Sequence, residues 1–262
     1  MKPKFFEEQV FFITLKIESV NPTTGASSVG TGFIVKHPVS EKKSFALLVT
    51  CKHVLFGGVG YVTLSFNKRE TEGALSVKLG DTVKIGPATY NDVYTEHEDT
   101  DIDIATVNIS SIIDNNPLIF FKNLKESNWA DFNDEKLLPM AEVIFVGYPI
   151  GFSDQLNNLP IARAGKIASH PRVDFNGKPE YLIDAQVFPG SSGSPVFTLL
   201  NGKYRLCGVV GQSISRTLPV ENIQVATVQT VQDFIGLGVV YKPNAVMDVI
   251  RRAAERFTSS DT

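Results

Sequence analysis

A chain of 262 residues that is 43% hydrophobic and 20% charged has enough apolar material for packed cores, and its length suits two half-domains of about 110 to 130 residues. A formal net charge of −3 gives no electrostatic pull toward nucleic acid or an anionic membrane surface, so neither is expected as a partner. The longest apolar stretch, 143–152, is broken by Gly147, Pro149 and Gly151 and falls well short of the ~20 residues a spanning helix needs.

The first nine residues carry Lys2 and Lys4 but also Glu7 and Glu8, with no small-residue cleavage site after them, so no secretory signal is read there. Short apolar or alternating runs follow at 10–17, 32–35, 45–50, 61–66, 74–79 and 104–109, then at 143–147, 181–188, 204–210 and 237–241. Gly, Pro, Asn and Asp separate them, which predicts an all-β sandwich or barrel architecture. Residues 122–138 interrupt the rhythm with a polar stretch holding Trp129, read as a linker between two β halves. Near the end Val246, Val249, Ile250, Ala253 and Phe257 fall at helical spacing, with Asn244 placed as a cap. The expected units are 1–121, a linker at 122–140, 141–242, and a terminal helix with its tail at 243–262. Cys51 and Cys207 are the only cysteines, too few for a framework of several disulfides, which favours a reducing, cytoplasmic compartment.

One stretch stands apart: Gln186-Val187-Phe188-Pro189-Gly190-Ser191-Ser192-Gly193-Ser194-Pro195. Glycines without a Cβ let peptide N–H groups approach a ligand. A serine held in such a turn, with its own N–H and that of Gly190 pointing one way, is a nucleophile beside an oxyanion hole. Gly/Ser/Pro turns are common, so a base and a carboxylate are needed to give the turn meaning.

Of His37, His53, His97 and His170, His53 has the distinctive setting, because the buried-strand run 45–49 ends just before it. The carboxylate candidates cluster in Glu96 to Asp103, and Asp103 opens a strand-like run. A calcium loop counted from Asp99 fails, since Ile104 occupies the sixth position and Ser110 the twelfth. Chain order then narrows the choice among folds that share this chemistry. No histidine follows Ser192, which removes the Ser-Asp-His order, and an Asp-His-Ser order could use only His97 or His170. His53, Asp103, Ser192 is the order that goes with a two-barrel β fold.

These stretches resemble trypsin-like serine peptidases of the chymotrypsin fold, and most of all the disulfide-poor high-temperature-requirement proteases and glutamyl endopeptidases. The likeness rests on Gly30-Thr31-Gly32-Phe33-Ile34-Val35, Leu48-Val49-Thr50-Cys51-Lys52-His53-Val54, Asp103-Ile104-Ala105 and Pro189-Gly190-Ser191-Ser192-Gly193-Ser194-Pro195. Residues 143–149 with Ala164-Gly165-Lys166-Ile167 resemble the opening hairpin of the family's second barrel. The resemblance implies two six-stranded antiparallel barrels with the site between them, His53 and Asp103 from the first and Ser192 from the second. It implies hydrolysis of a protein or peptide substrate through an acyl-enzyme, without metal or cofactor. Ser191 stands where cleavage-activated members carry an aspartate, so that switch is not expected. By analogy the specificity pocket involves Gln186, Val210, Gly211 and Gln212. With no carboxylate or histidine there, small or medium uncharged side chains are expected. A peptidase fold kept as a binding module, and an esterase or acyl transferase using the same residues, are the rival readings.

Overall fold

Two β units share one apolar seam in the computed structural model, which describes residues 1–40, 43–222 and 227–259. The chain opens with helix α1 (Phe6–Ile13), so the run expected as a strand over 10–17 divides. Its cause is local: the Glu8 carboxylate accepts from the backbone N–H of Lys4 at 2.6 Å and of Phe5 at 3.3 Å. That satisfies N–H groups near the start of a helix, which otherwise lack partners.

The first unit contains β1 (Thr14–Val20), β2 (Ser27–Pro38), β3 (Ser44–Thr50), β4 (Tyr61–Arg69), β5 (Val77–Ala88), β6 (Tyr94–Glu96) and β7 (Ala105–Asn108), then helix α2 (Ser110–Asp114) and β8 (Ile119–Phe120). Together they make an eight-stranded sheet in the order β5-β4-β1-β2-β3-β7-β6, with β8 paired to β4. A closed barrel of six was expected here; β5 and β6 are instead the two ends of the path. The second unit contains β9 (Glu142–Gly147), β10 (Ile161–Ile167), β11 (Glu180–Asp184), β12 (Pro195–Leu200), β13 (Lys203–Asn222) and β14 (Thr227–Tyr241). It closes into the expected six-stranded barrel, β10-β11-β14-β13-β12-β9. The architecture is that of a chymotrypsin-like double barrel with a C-terminal helix.

The period of two along each strand explains why the units sit together. On β2 and β3, Ile34 and Leu48 enter the first unit's own core, while Phe33, Val35, Leu47 and Val49 face the other way. Val146, Phe197, Leu206, Val209 and Tyr241 face outward from the second barrel and meet them. Helix α3 (Pro243–Ser259) adds Val246, Val249, Ile250 and Ala253 to the same cluster, as their spacing predicts. Asn244 lies within its first turn instead of at the cap. The linker stitches the seam through backbone bonds, Leu124 N–H to Ile34 O at 2.9 Å and Ala130 N–H to Leu206 O at 2.8 Å. No helix among the described residues is long and apolar enough to cross a membrane.

Candidate active site

Strand β3 ends at Thr50, and the chain passes through buried Cys51 into a 3-10 turn that carries His53 to the surface. Asp103 approaches just before β7, the strand next to β3. Its carboxylate accepts twice from one residue, at Oδ1 from the His53 backbone N–H at 3.1 Å and at Oδ2 from the ring Nδ1. An ionised carboxylate only accepts, so the proton is assigned to Nδ1, leaving the Nε2 lone pair as a base. Lys52 Nζ fixes the intervening loop by donating to the carbonyls of His97 and Asp99, each at 3.1 Å. Asp99 and Asp101 are exposed, and Asp101 pairs with Lys178 at 3.0 Å. Behind the pair the Tyr241 ring lies where a Cβ on Gly211 would come within 2.5 Å. Burial raises the Tyr241 hydroxyl, opposed by the backbone N–H of Asp103.

The serine turn is held by its own amides. Ser191 N–H donates to Phe188 O at 3.0 Å, Gly193 N–H to Val210 O at 2.8 Å, and Ser194 N–H to Ser191 O at 2.9 Å. Among the described residues the N–H groups of Gly190 and Ser192 make no hydrogen bond. Their direction follows from the preceding carbonyls, because C=O and N–H of a trans peptide point opposite ways. Pro189 O is captured by Ile150 N–H at 2.5 Å and Ser191 O by Ser194 N–H, so both free N–H groups are oriented by bonded carbonyls. The two glycines are required sterically. Gly190 has φ of 89° and Gly193 of 86°. A Cβ would lie 2.4 Å from Tyr148 O at Gly190, and 1.9 Å from Thr31 O at Gly193.

The residue that sequence reasoning did not single out is Thr31. Fully buried on β2, it donates from Oγ1 to Gly190 O at 2.8 Å and accepts there from Tyr148 N–H at 3.0 Å. Its backbone N–H donates to Ser192 O at 3.0 Å, and its carbonyl accepts from Thr50 Oγ1 at 2.7 Å. One threonine thereby ties the serine turn to the strand that leads to His53. Among the described residues the Ser192 hydroxyl makes no hydrogen bond to His53; such bonds commonly tighten only once substrate binds.

The proposed pocket residues differ in burial. Gln186 and Gln212 are exposed, Val210 points into the second barrel's core, and Gly211 is buried against Tyr241. His37 lies beside Glu126, His97 accepts from Asp99 N–H at 3.0 Å, and His170 is exposed.

Cys51, His53 and Asp103 bring ligand atoms within 4.8 Å of one another. Both carboxylate oxygens are engaged by His53, and burial, then the nearby Asp103 charge, raises the Cys51 thiol well above its ordinary value. With both carboxylate oxygens turned to His53, the cluster reads as an imidazole held by its acid. The thiol lies 3.5 Å from Val210 O.

A family model for the trypsin-like peptidase domain matches residues 30–209. The chain belongs to that family. No curated protein sequence matches it. Among solved structures, this trypsin-like peptidase is similar to the active form of the Rv3671c protease from M. tuberculosis, at 20% identity and a TM-score of 0.51, over 93% of this chain and 82% of that one. It is also similar to the tobacco vein mottling virus protease, at 11% identity and a TM-score of 0.51, over 92% of this chain and 82% of the other. A third is the scabies mite inactivated protease paralogue S-I1, at 14% identity and a TM-score of 0.51, over 97% and 99%. At these identities the likeness concerns the fold.

Proposed function

We propose that the protein is a serine endopeptidase working through an acyl-enzyme. Ser192 attacks the scissile carbonyl while His53 takes its proton at Nε2 and returns it to the leaving amine. Asp103 orients the ring and stabilises the imidazolium. The N–H groups of Gly190 and Ser192 receive the oxyanion. The observation that carries this reading is the pairing of a carboxylate-held imidazole with two uncommitted, pre-aimed peptide N–H groups at the serine turn.

Within the family, the sequence resemblance and the two unpaired cysteines favour the branch of high-temperature-requirement proteases and glutamyl endopeptidases, and a cytoplasmic location. With Gln186 and Gln212 as the accessible members of the pocket set, cleavage is assigned after small or medium uncharged residues. One structural neighbour is a protease in active form and another an inactivated paralogue, so the fold alone does not decide hydrolysis. Labelling with a fluorophosphonate decides it. The parent protein should label and Ser192→Ala should not, whereas an unlabelled but folded parent would leave the binding-module reading in place.

A further inference from the structure

Large apolar side chains are unusually exposed along the loop after β9: Ile150 is 71% exposed and Phe152 69%. Ile150 adopts φ of 53°, a left-handed conformation that a β-branched residue takes only at a steric cost. Surroundings must hold such a residue in place, and sites of this kind cluster where ligands are handled. Here the holding contacts are visible. Ile150 N–H bonds Pro189 O at 2.5 Å, Gly151 N–H bonds Tyr148 O at 2.9 Å, and Phe152 N–H bonds Pro149 O at 2.7 Å. A Cβ on Gly190 would lie 3.0 Å from Ile150 N and 3.3 Å from Gly151 N, so the turn packs directly on the peptide whose N–H faces the oxyanion. A Cβ on Gly151 would sit 3.7 Å from Val29 Cγ1, which places half-buried Val29 beside the turn.

We propose that Ile150 and Phe152, with Val29 beside the intervening Gly151, form a subsite for a large apolar side chain on the leaving-amine side of the scissile bond. The inference rests on the serine-peptidase reading and adds a substrate class to it: polypeptides with Leu, Phe or a similar residue one or two places after the cleaved bond. The assignment to that side follows from position. The serine turn is held on one flank through Gly193 N–H to Val210 O, next to Gly211 and Gln212, which the resemblance gives to the pocket for the residue before the scissile bond. It is held on the other flank through Pro189 O to the Ile150 turn, so a chain crossing the site leaves over Ile150 and Phe152. Because three hydrogen bonds already hold the backbone under these side chains, less chain has to be ordered when a substrate side chain covers them, which favours recognition.

The test compares two substrate kinds. A single-residue chromogenic ester, having no peptide beyond the scissile bond, reads the hydrolytic machinery alone. A peptide pair differing only in Leu against Ser after the bond reads the subsite. The parent should prefer Leu by about tenfold in kcat/KM, the scale of a modest hydrophobic pocket. Phe152→Ser should erase that preference and leave ester turnover unchanged. Leu156→Ser, 74% exposed in the parent and in the part of the loop tied to β4 by Asn158 Nδ2 to Ser65 O, should keep it. A parent without preference, a preference that survives Phe152→Ser, or equal loss in Leu156→Ser would overturn the subsite while leaving the peptidase intact. A parent that hydrolyses no ester and takes no fluorophosphonate would remove the peptidase reading, and the subsite with it.

Discussion

Replacing Thr31 with valine keeps the shape of a fully buried side chain and deletes only its hydroxyl, which isolates the polar tie between the units. Two partners are left unsatisfied: Gly190 O, which accepted at 2.8 Å, and Tyr148 N–H, which donated at 3.0 Å. Each orphaned buried group costs about 1–3 kcal/mol, so the pair predicts a loss of about 2–6 kcal/mol. Against the usual total of about 5–15 kcal/mol, that is a large fraction of the stability. The Gly190 carbonyl also steadies the serine turn, and the loss of one oxyanion donor elsewhere costs about 10² to 10³ in kcat; a loosened donor sets that range as the ceiling here. Urea denaturation measures the first effect and ester hydrolysis at a temperature where both proteins are folded measures the second. Thr31→Ser keeps the hydroxyl and deletes a methyl group, so it should recover most of both. A valine variant with the parent's urea midpoint, or a serine variant as damaged as the valine one, would refute the assignment of Thr31 as the polar link.

Gly193→Ala should be more severe, since its Cβ would fall 1.9 Å from Thr31 O and 2.7 Å from Thr50 Oγ1 at a φ of 86°; the expected result is a destabilised protein that takes no fluorophosphonate, read by melting and labelling together. Asp103→Asn should leave the fold and lower kcat by about 10⁴, because an amide can present its N–H to Nδ1 and favour the wrong tautomer; a fall below tenfold in steady-state assays would contradict the role given to Asp103. At alkaline pH the buried Cys207 thiol, pushed up to about 12 from 9.0, is deprotonated in the unfolded chain first. The stability it contributes is therefore full below about pH 9 and declines between there and 12, and Cys207→Ala should flatten that part of a denaturation-against-pH curve.

The strands that face both cores were legible because their period of two is written in residues such as Phe33, Ile34 and Val35, each with a definite side. Helix α3 was legible for the same reason at a period near 3.6. The candidate site residues were singled out through chain order and through glycines that let peptide N–H groups approach a ligand. What escaped depended on three-dimensional context. Residues 10–13 look equally apolar as strand or helix, and Glu8 folding back on Lys4 and Phe5 decides between them. Strands β13 and β14 run on past the runs read at 204–210 and 237–241, paired as far as Asn222 and Thr227, through a stretch whose mostly single apolar residues are separated by polar ones and by Pro219. The pocket residues were placed by analogy, whereas the register shift between Val210 and Gln212 puts one in the core and the other at the surface. A bulge of this kind reverses the facing that alternation would assign.

The candidate site is divided between the units, so on the proposed reading their docking is part of the chemistry. His53 and Asp103 hold each other within the first unit, while Ser192 and the unbonded N–H groups of Gly190 and Ser192 belong to the second. Neither half is complete, and productive geometry tolerates an error of only about 0.5 Å. The apolar seam fixes the units broadly, yet apolar contacts are non-directional and would allow small slips. Directional bonds remove that freedom: Thr31 N–H to Ser192 O, Thr31 Oγ1 to Gly190 O, and the Cys51 thiol against Val210 O. Substitutions at these bonds, Thr31→Val among them, should therefore lower ester turnover in the protein that remains folded as well as lowering stability, because they release the angle between His53 and Ser192.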